Sequence, residues 1–141
     1  MFSNIGSFDE QEKMVDKAIK LAQSNVDVGM LVIDSISMHY RLTSREEDRG
    51  ERRSLAGQST KLTNVAREKG LPVVVTSQVY TDVETGAFEA LGGHALHHNA
   101  KAIVRIDKAS MGRRRAVLMK HRSLPEGLAA DFQLTADGIS C

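Results

Sequence analysis

The stretch GMLVIDSISMHYR, Gly29 to Arg41, carries the apolar residues Met30 to Ile33 directly into a carboxylate, Asp34. A short apolar run without polar alternation predicts a strand covered on both faces, as in a parallel sheet. A charged residue at its tip then marks the strand's carboxyl end, where ligands gather in an open α/β sheet. Asp34 also suits a plainer task, capping the turn that follows. The choice depends on what the rest of the chain brings to the same edge.

Upstream, Ser7 followed by Glu10 has the spacing of a capping box, and Phe8, Val15, Ala18, Ile19 and Ala22 recur at helical period. These predict a helix from about Phe8 to Gln23. Downstream, the densely charged segment Leu42 to Arg53 predicts a loop passing into a helix, continued by Leu55, Leu62, Val65 and Ala66 and stopped by Gly70 and Pro72. A second buried strand, PVVVTSQV, spans Pro72 to Val79; a polar loop from Tyr80 to Gly93 and a helical turn around Ala95 to Asn99 follow. KAIVRID, RRRAVLMKHR and AADFQLT read as three further strands, with Gly112 in the connection between the first two. Helix and strand alternating implies parallel crossover units, and the closely spaced final strands imply antiparallel hairpins. The expected fold class is therefore α/β, a mixed sheet with parallel strands followed by antiparallel hairpins, in one domain.

Composition removes several function classes. The net charge of +1 excludes nucleic-acid binding by overall charge, so any such contact must come from local patches. Aromatic residues are 4% with no tryptophan, too few for a broad base-stacking platform. The one cysteine, Cys141, permits neither an internal disulfide framework nor a cysteine zinc site. Apolar runs fall well short of the roughly 18 residues that suggest a membrane span, so no membrane association is expected. The N-terminus lacks the pattern of a secretory signal, which makes a cytoplasmic location the expectation.

If the two buried strands are neighbours, Asp34 and Ser35 share an edge with Thr76, Ser77 and Gln78. That arrangement is Walker-B-like: the aspartate holds Mg²⁺ through water while the metal bridges nucleotide phosphates. In RRRAVLMKHR, alternation sends Lys120 and Arg122 to one face and His121 to the other. Two adjacent cations can stabilise charge on a transferred phosphoryl group, or serve as a solvated edge that discourages aggregation. His94, His97 and His98 have a spacing that could ligate zinc, although Gly92-Gly93 before them reads as a hinge closing a loop. The arginines from Arg41 to Arg53 are interleaved with acids, which fits a solvated helix start.

LVIDSISMHYR, LPVVVTSQVYTD, LGGHALHHNAKAIVRIDK and RRRAVLMKHRSLPEG together resemble, in this order, the second half of the RecA/RadA recombinase ATPase core, nearest to an archaeal paralogue branch of that family. The resemblance covers nearly the whole chain and implies that residues 1–141 are a partial RecA-like ATPase domain, the C-terminal portion of the core, with ATP and Mg²⁺ as cofactors. It makes Asp34 the Walker B carboxylate, holding Mg²⁺ through water, and Gln78 the glutamine that senses the γ-phosphate. His98 matches a histidine near the neighbouring subunit's nucleotide. Lys120 and Arg122 match cations that reach across an interface into the adjacent ATP, and Ser123 and Pro125 belong to the segment SLPEG over the neighbouring adenine. Single-stranded DNA would be met by a first loop containing Arg41 and the pair Arg49-Gly50, and by a second, Val79 to Gly92, closed at Gly92-Gly93. The implied protein partner is a RadA-type recombinase, or further copies of the chain.

The departures from the family pattern are equally specific. No G-x-x-x-x-G-K-[ST] occurs in the 141 residues, so the phosphate cradle, its lysine and its Mg²⁺-binding hydroxyl are absent. No strand that could carry the family's catalytic glutamate precedes Ser7. The second loop contains the acidic TDVETGAFEAL, unlike a surface that grips a phosphate backbone. The expectation is a Walker B half without its Walker A half, inactive as an ATPase alone, with an open sheet edge that promotes self-association. The alternatives are a non-catalytic module that supplies Lys120 and Arg122 to a RecA-like partner, and a fragment of a KaiC-like signalling ATPase.

Overall fold

The computed structural model describes residues 5–39, 45–81, 88–90 and 93–141, with the backbone alone for 45–49, 80–81, 88–90 and 93–94. Two compact units divide the chain, residues 1–99 and 100–141, and each is described by itself.

In the first unit, helix α1 (Phe8–Ser24) starts where the sequence signals it: Ser7 is extended and its side chain accepts the Glu10 N–H. The Glu10 carboxylate accepts in turn from Gly6 N–H at 2.8 Å, one residue earlier than a standard capping box. Strand β1 (Leu31–Ile33) pairs in parallel with β2 (Val73–Val75), in the register Leu31 to Val73 and Ile33 to Val75. Between them runs helix α2 (Arg45–Lys69). Its end is set by Gly70, whose φ of +60° allows Leu71 N–H to bond back to the Ala66 carbonyl at 3.1 Å. This is the glycine-capped helix stop that the sequence predicted.

The two helices lie together over the sheet. Glu12 accepts from Ser54, Asp16 pairs with Lys61 at 2.7 Å, and Gln23 donates to Glu68. The partners advance in the same direction along both helices, so α1 and α2 run parallel, as right-handed crossovers on one face of a parallel sheet require. Their facing stripes, Val15, Ile19 and Ala22 against Leu55, Leu62 and Val65, form the core with Ile36 and Leu71; Leu31, Ile33 and Val73 pack on it. The opposite face is open: Val32 is 60% and Val74 44% exposed. Coverage on both faces, the expectation from the apolar runs, is thus corrected, because the described residues supply a helical layer to one side only.

A short hairpin, β3 (Val79–Thr81) with β4 (Phe88–Ala90), lies where the sequence predicted only a loop, and helix α3 (Gly93–Asn99) follows it. The expected strand from Pro72 to Val79 is accordingly two elements, interrupted at Thr76 to Gln78.

The second unit is an antiparallel sheet in the order β5 (Ile103–Lys108), β6 (Arg113–Lys120), β7 (Ala129–Thr135), β8 (Gly138–Ser140). The turn between β5 and β6 places Met111 and Gly112 at positive φ. Strand β8 was missed in the sequence. The register assigns Val104, Ile106, Leu118, Ala116, Ala130, Phe132, Leu134 and Ile139 to one face. Arg105, Asp107, Arg115 and Asp131 occupy the other, joined in two bidentate pairs. No residue of this unit is fully buried, so its stability comes from the hydrogen-bonded ladder and cross-strand pairs.

Candidate functional site

Parallel pairing of β1 and β2 brings both strand ends to one edge, and the loops beyond them are bonded together. Thr76 N–H donates to the Ile33 carbonyl and Ile36 N–H to the Thr76 carbonyl, each at 3.0 Å, which continues the ladder past the strands. At this edge the Thr76 hydroxyl donates to the Asp34 carboxylate. The Asp34–Ser35 peptide is cis. Ser37, 1% exposed, accepts the Gln78 N–H through its hydroxyl at 2.9 Å. Asp34 and Gln78, the residues picked out from sequence, thus stand on one rim, linked through Thr76 and Ser37.

The loop is anchored from below. Gln11, a polar residue on the apolar stripe of α1, donates from Nε2 to the Ile36 carbonyl at 2.9 Å and to Gln58 Oε1 at 3.1 Å. Gln58 donates to Ser54, and Ser54 to Glu12. Each buried amide is satisfied, so these polar groups fix the loop bearing Asp34 instead of weakening the core. Sequence reasoning missed Ser37, Gln11 and Gln58. For Gln11 and Gln58 the available signal was polarity at core positions of the helical period.

An exposed carboxylate with one oxygen engaged by a hydroxyl, flanked by further hydroxyls, suits a magnesium ion held through water better than a dedicated all-protein cage. Among the described residues no group of three metal-capable side chains is gathered, and the side chain of His94 lies outside them. His98 is exposed on the last turn of α3.

In the second unit, Lys120 is the last residue of β6 and half-buried, whereas Arg122 is exposed beyond the strand. Strand alternation therefore does not set the direction of Arg122, which corrects the geometric argument for a side-by-side cation pair. Ser123 and Pro125 are exposed in the same turn. Of the residues expected to meet DNA, Arg41 and Gly92 lie outside the described residues. Arg49 and Gly50 are within α2, in its first turns and not in a loop, and Gly93 begins α3.

The family model described as Rad51 matches residues 4–141. The chain belongs to the Rad51 family. Within that family it is 40% identical over 135 residues to the DNA repair and recombination protein RadB of Thermoplasma acidophilum, covering 96% of the chain and 59% of the relative. It is 43% identical over 133 residues to the RadB of Methanoculleus marisnigri, covering 94% and 58%. A crystal structure of the RadB recombinase superposes with a TM-score of 0.73 at 34% identity, covering 94% of this chain and 59% of that one. The chain thus spans less than two thirds of the length of these Rad51-family relatives, and the archaeal paralogue branch expected from the sequence is RadB. The mixed α/β architecture is a partial RecA-like core.

Proposed function

We propose that this chain is the Walker-B-bearing part of a RadB-like recombination protein that in intact form binds ATP, Mg²⁺ and single-stranded DNA in the cytoplasm. The observation that carries the reading is the convergence of Asp34, Thr76, Ser37 and Gln78 on one strand edge. Asp34 would hold Mg²⁺ through water, and the bound metal would neutralise charge on nucleotide phosphates. Gln78, its backbone tied to Ser37, orients its side chain at the phosphate edge. Lys120 and Arg122 serve the nucleotide of an adjoining subunit, His98 lies near that nucleotide, and Ser123 and Pro125 lie over its adenine. DNA is met through Arg41, Arg49-Gly50 and the glycines Gly92-Gly93, and the partner is a RadA-type recombinase or another copy.

The 141 residues hold no G-x-x-x-x-G-K-[ST] motif, so the chain lacks that motif's lysine and backbone cradle for the phosphates that Asp34 and Gln78 address. The purified chain is expected to show no magnesium-dependent ATP turnover. Turnover that Asp34→Asn abolishes would overturn this. Adding the chain to a RadA-type recombinase and measuring ATPase tests the role of Lys120 and Arg122: their alanine variants should lose any effect the wild type has on the rate. Contact with several DNA phosphates should make affinity fall steeply with salt. A flat salt response rules out backbone contact.

A further inference from the structure

His121 sits between the two proposed phosphate-binding cations, and the proposed function gives it no part. Its ring Nδ1 accepts the backbone N–H of Ser123 at 3.2 Å and of Leu124 at 3.0 Å, with the Ser123 hydroxyl at 3.4 Å. One side-chain acceptor taking N–H groups two and three residues ahead is the pattern by which Asn and Asp fix turns and helix starts. Acceptance at Nδ1 also settles the tautomer, since a neutral imidazole that accepts there carries its proton on Nε2. The base of the same loop is closed separately, by Gly127 N–H to the Leu118 carbonyl and Leu118 N–H to the Leu128 carbonyl, both 2.8 Å. The ladder bonds thus close the loop at Leu118 and Leu128, and His121 holds its first turn.

We propose that His121 is the positioning residue of the Lys120-His121-Arg122 triplet: its Nδ1 clamps the turn that carries Arg122 and Ser123 directly after Lys120. A long cationic side chain on an exposed turn loses entropy when it meets an anion, and a turn already held in place reduces that loss. The purpose of the clamp rests on the reading of Lys120 and Arg122 as phosphate-binding groups; the clamp itself does not.

The test is nuclear magnetic resonance on the full ¹⁵N-labelled chain above the ordinary imidazole titration range. Long-range ¹⁵N–¹H spectra should show His121 as the Nε2–H tautomer, with the Ser123 and Leu124 amide protons shifted downfield. In His121→Ala both amides should move upfield and exchange about five- to tenfold faster, the factor expected for one ordinary hydrogen bond. His121→Asn places Oδ1 at the same bonded distance from the backbone as Nδ1 and should restore both signals. An Nδ1–H tautomer, unchanged amides in the alanine variant, or failure of asparagine to restore them would each overturn the clamp. If the clamp signature appears while alanine variants at Lys120 and Arg122 keep the wild type's effect on a RadA-type partner's ATPase, the phosphate reading fails and the positioning of the turn stands.

Discussion

Gln11 illustrates how one residue reaches the candidate site without lying in it. Its amide spans from α1 to the carbonyl of Ile36, two positions past Asp34, and to Gln58 on α2. Gln11→Leu fills the same stripe with an apolar side chain but strands the Ile36 carbonyl and Gln58 Oε1 in the interior. The expected cost is about 2–3 kcal/mol in urea unfolding, from buried polar groups left without partners. The double variant Gln11→Leu with Gln58→Leu should cost less than the sum of the singles, because it removes both ends of one bond. Additive losses would show that the two amides act separately.

At the scale of elements, the stop of α2 depends on a conformation that L-residues adopt reluctantly. Gly70→Ala at φ +60° should destabilise by about 1 kcal/mol and lower the melting temperature, and Ser7→Ala should cost about as much at the start of α1. In the antiparallel sheet, Arg115 bonds Asp131 in bidentate fashion and holds the Asp131 carboxyl below the usual aspartate value. A carboxyl with a depressed folded pKa contributes stability above its unfolded value and loses it as pH falls through the folded one. Acid unfolding should therefore show a contribution from Asp131 that fades below about pH 4, and Asp131→Asn should flatten that part of the profile. The pair is exposed, so the effect is small and shrinks with added salt.

The elements that were legible in the sequence are those with local signals. Helix α1 had its serine cap and α2 its glycine stop, each set within a few positions of chain. The β3–β4 hairpin and β8 were missed because, unlike the equally short β1 and β2, they carry no unbroken aliphatic run to stand out. Site residues divide the same way. Asp34 and Gln78 could be placed together because parallel pairing forces strand ends onto one edge. Ser37 and His121 could not, since each acts through a hydrogen bond whose geometry belongs to a loop.

For the whole molecule, the telling contrast is between a family match along almost the full chain and a span of 59% of the RadB of Thermoplasma acidophilum. The β1–β2 sheet has only two strands among the described residues and leaves Val32 and Val74 in water, although parallel sheets are ordinarily covered on both faces. Self-association that rises with concentration is expected in sedimentation velocity, and Val32→Lys with Val74→Thr should suppress it. A monomer unchanged by concentration would count against the open face as its cause.

The one-sided colouring of the antiparallel sheet carries a practical corollary. Ile139 is 69% and Leu134 54% exposed, on the same face as the exposed Ile106 and Val104, so the native chain offers an environment-sensitive dye apolar surface before any heating. Fluorescent thermal-shift traces should begin bright and fade instead of climbing, and melting is better followed by circular dichroism.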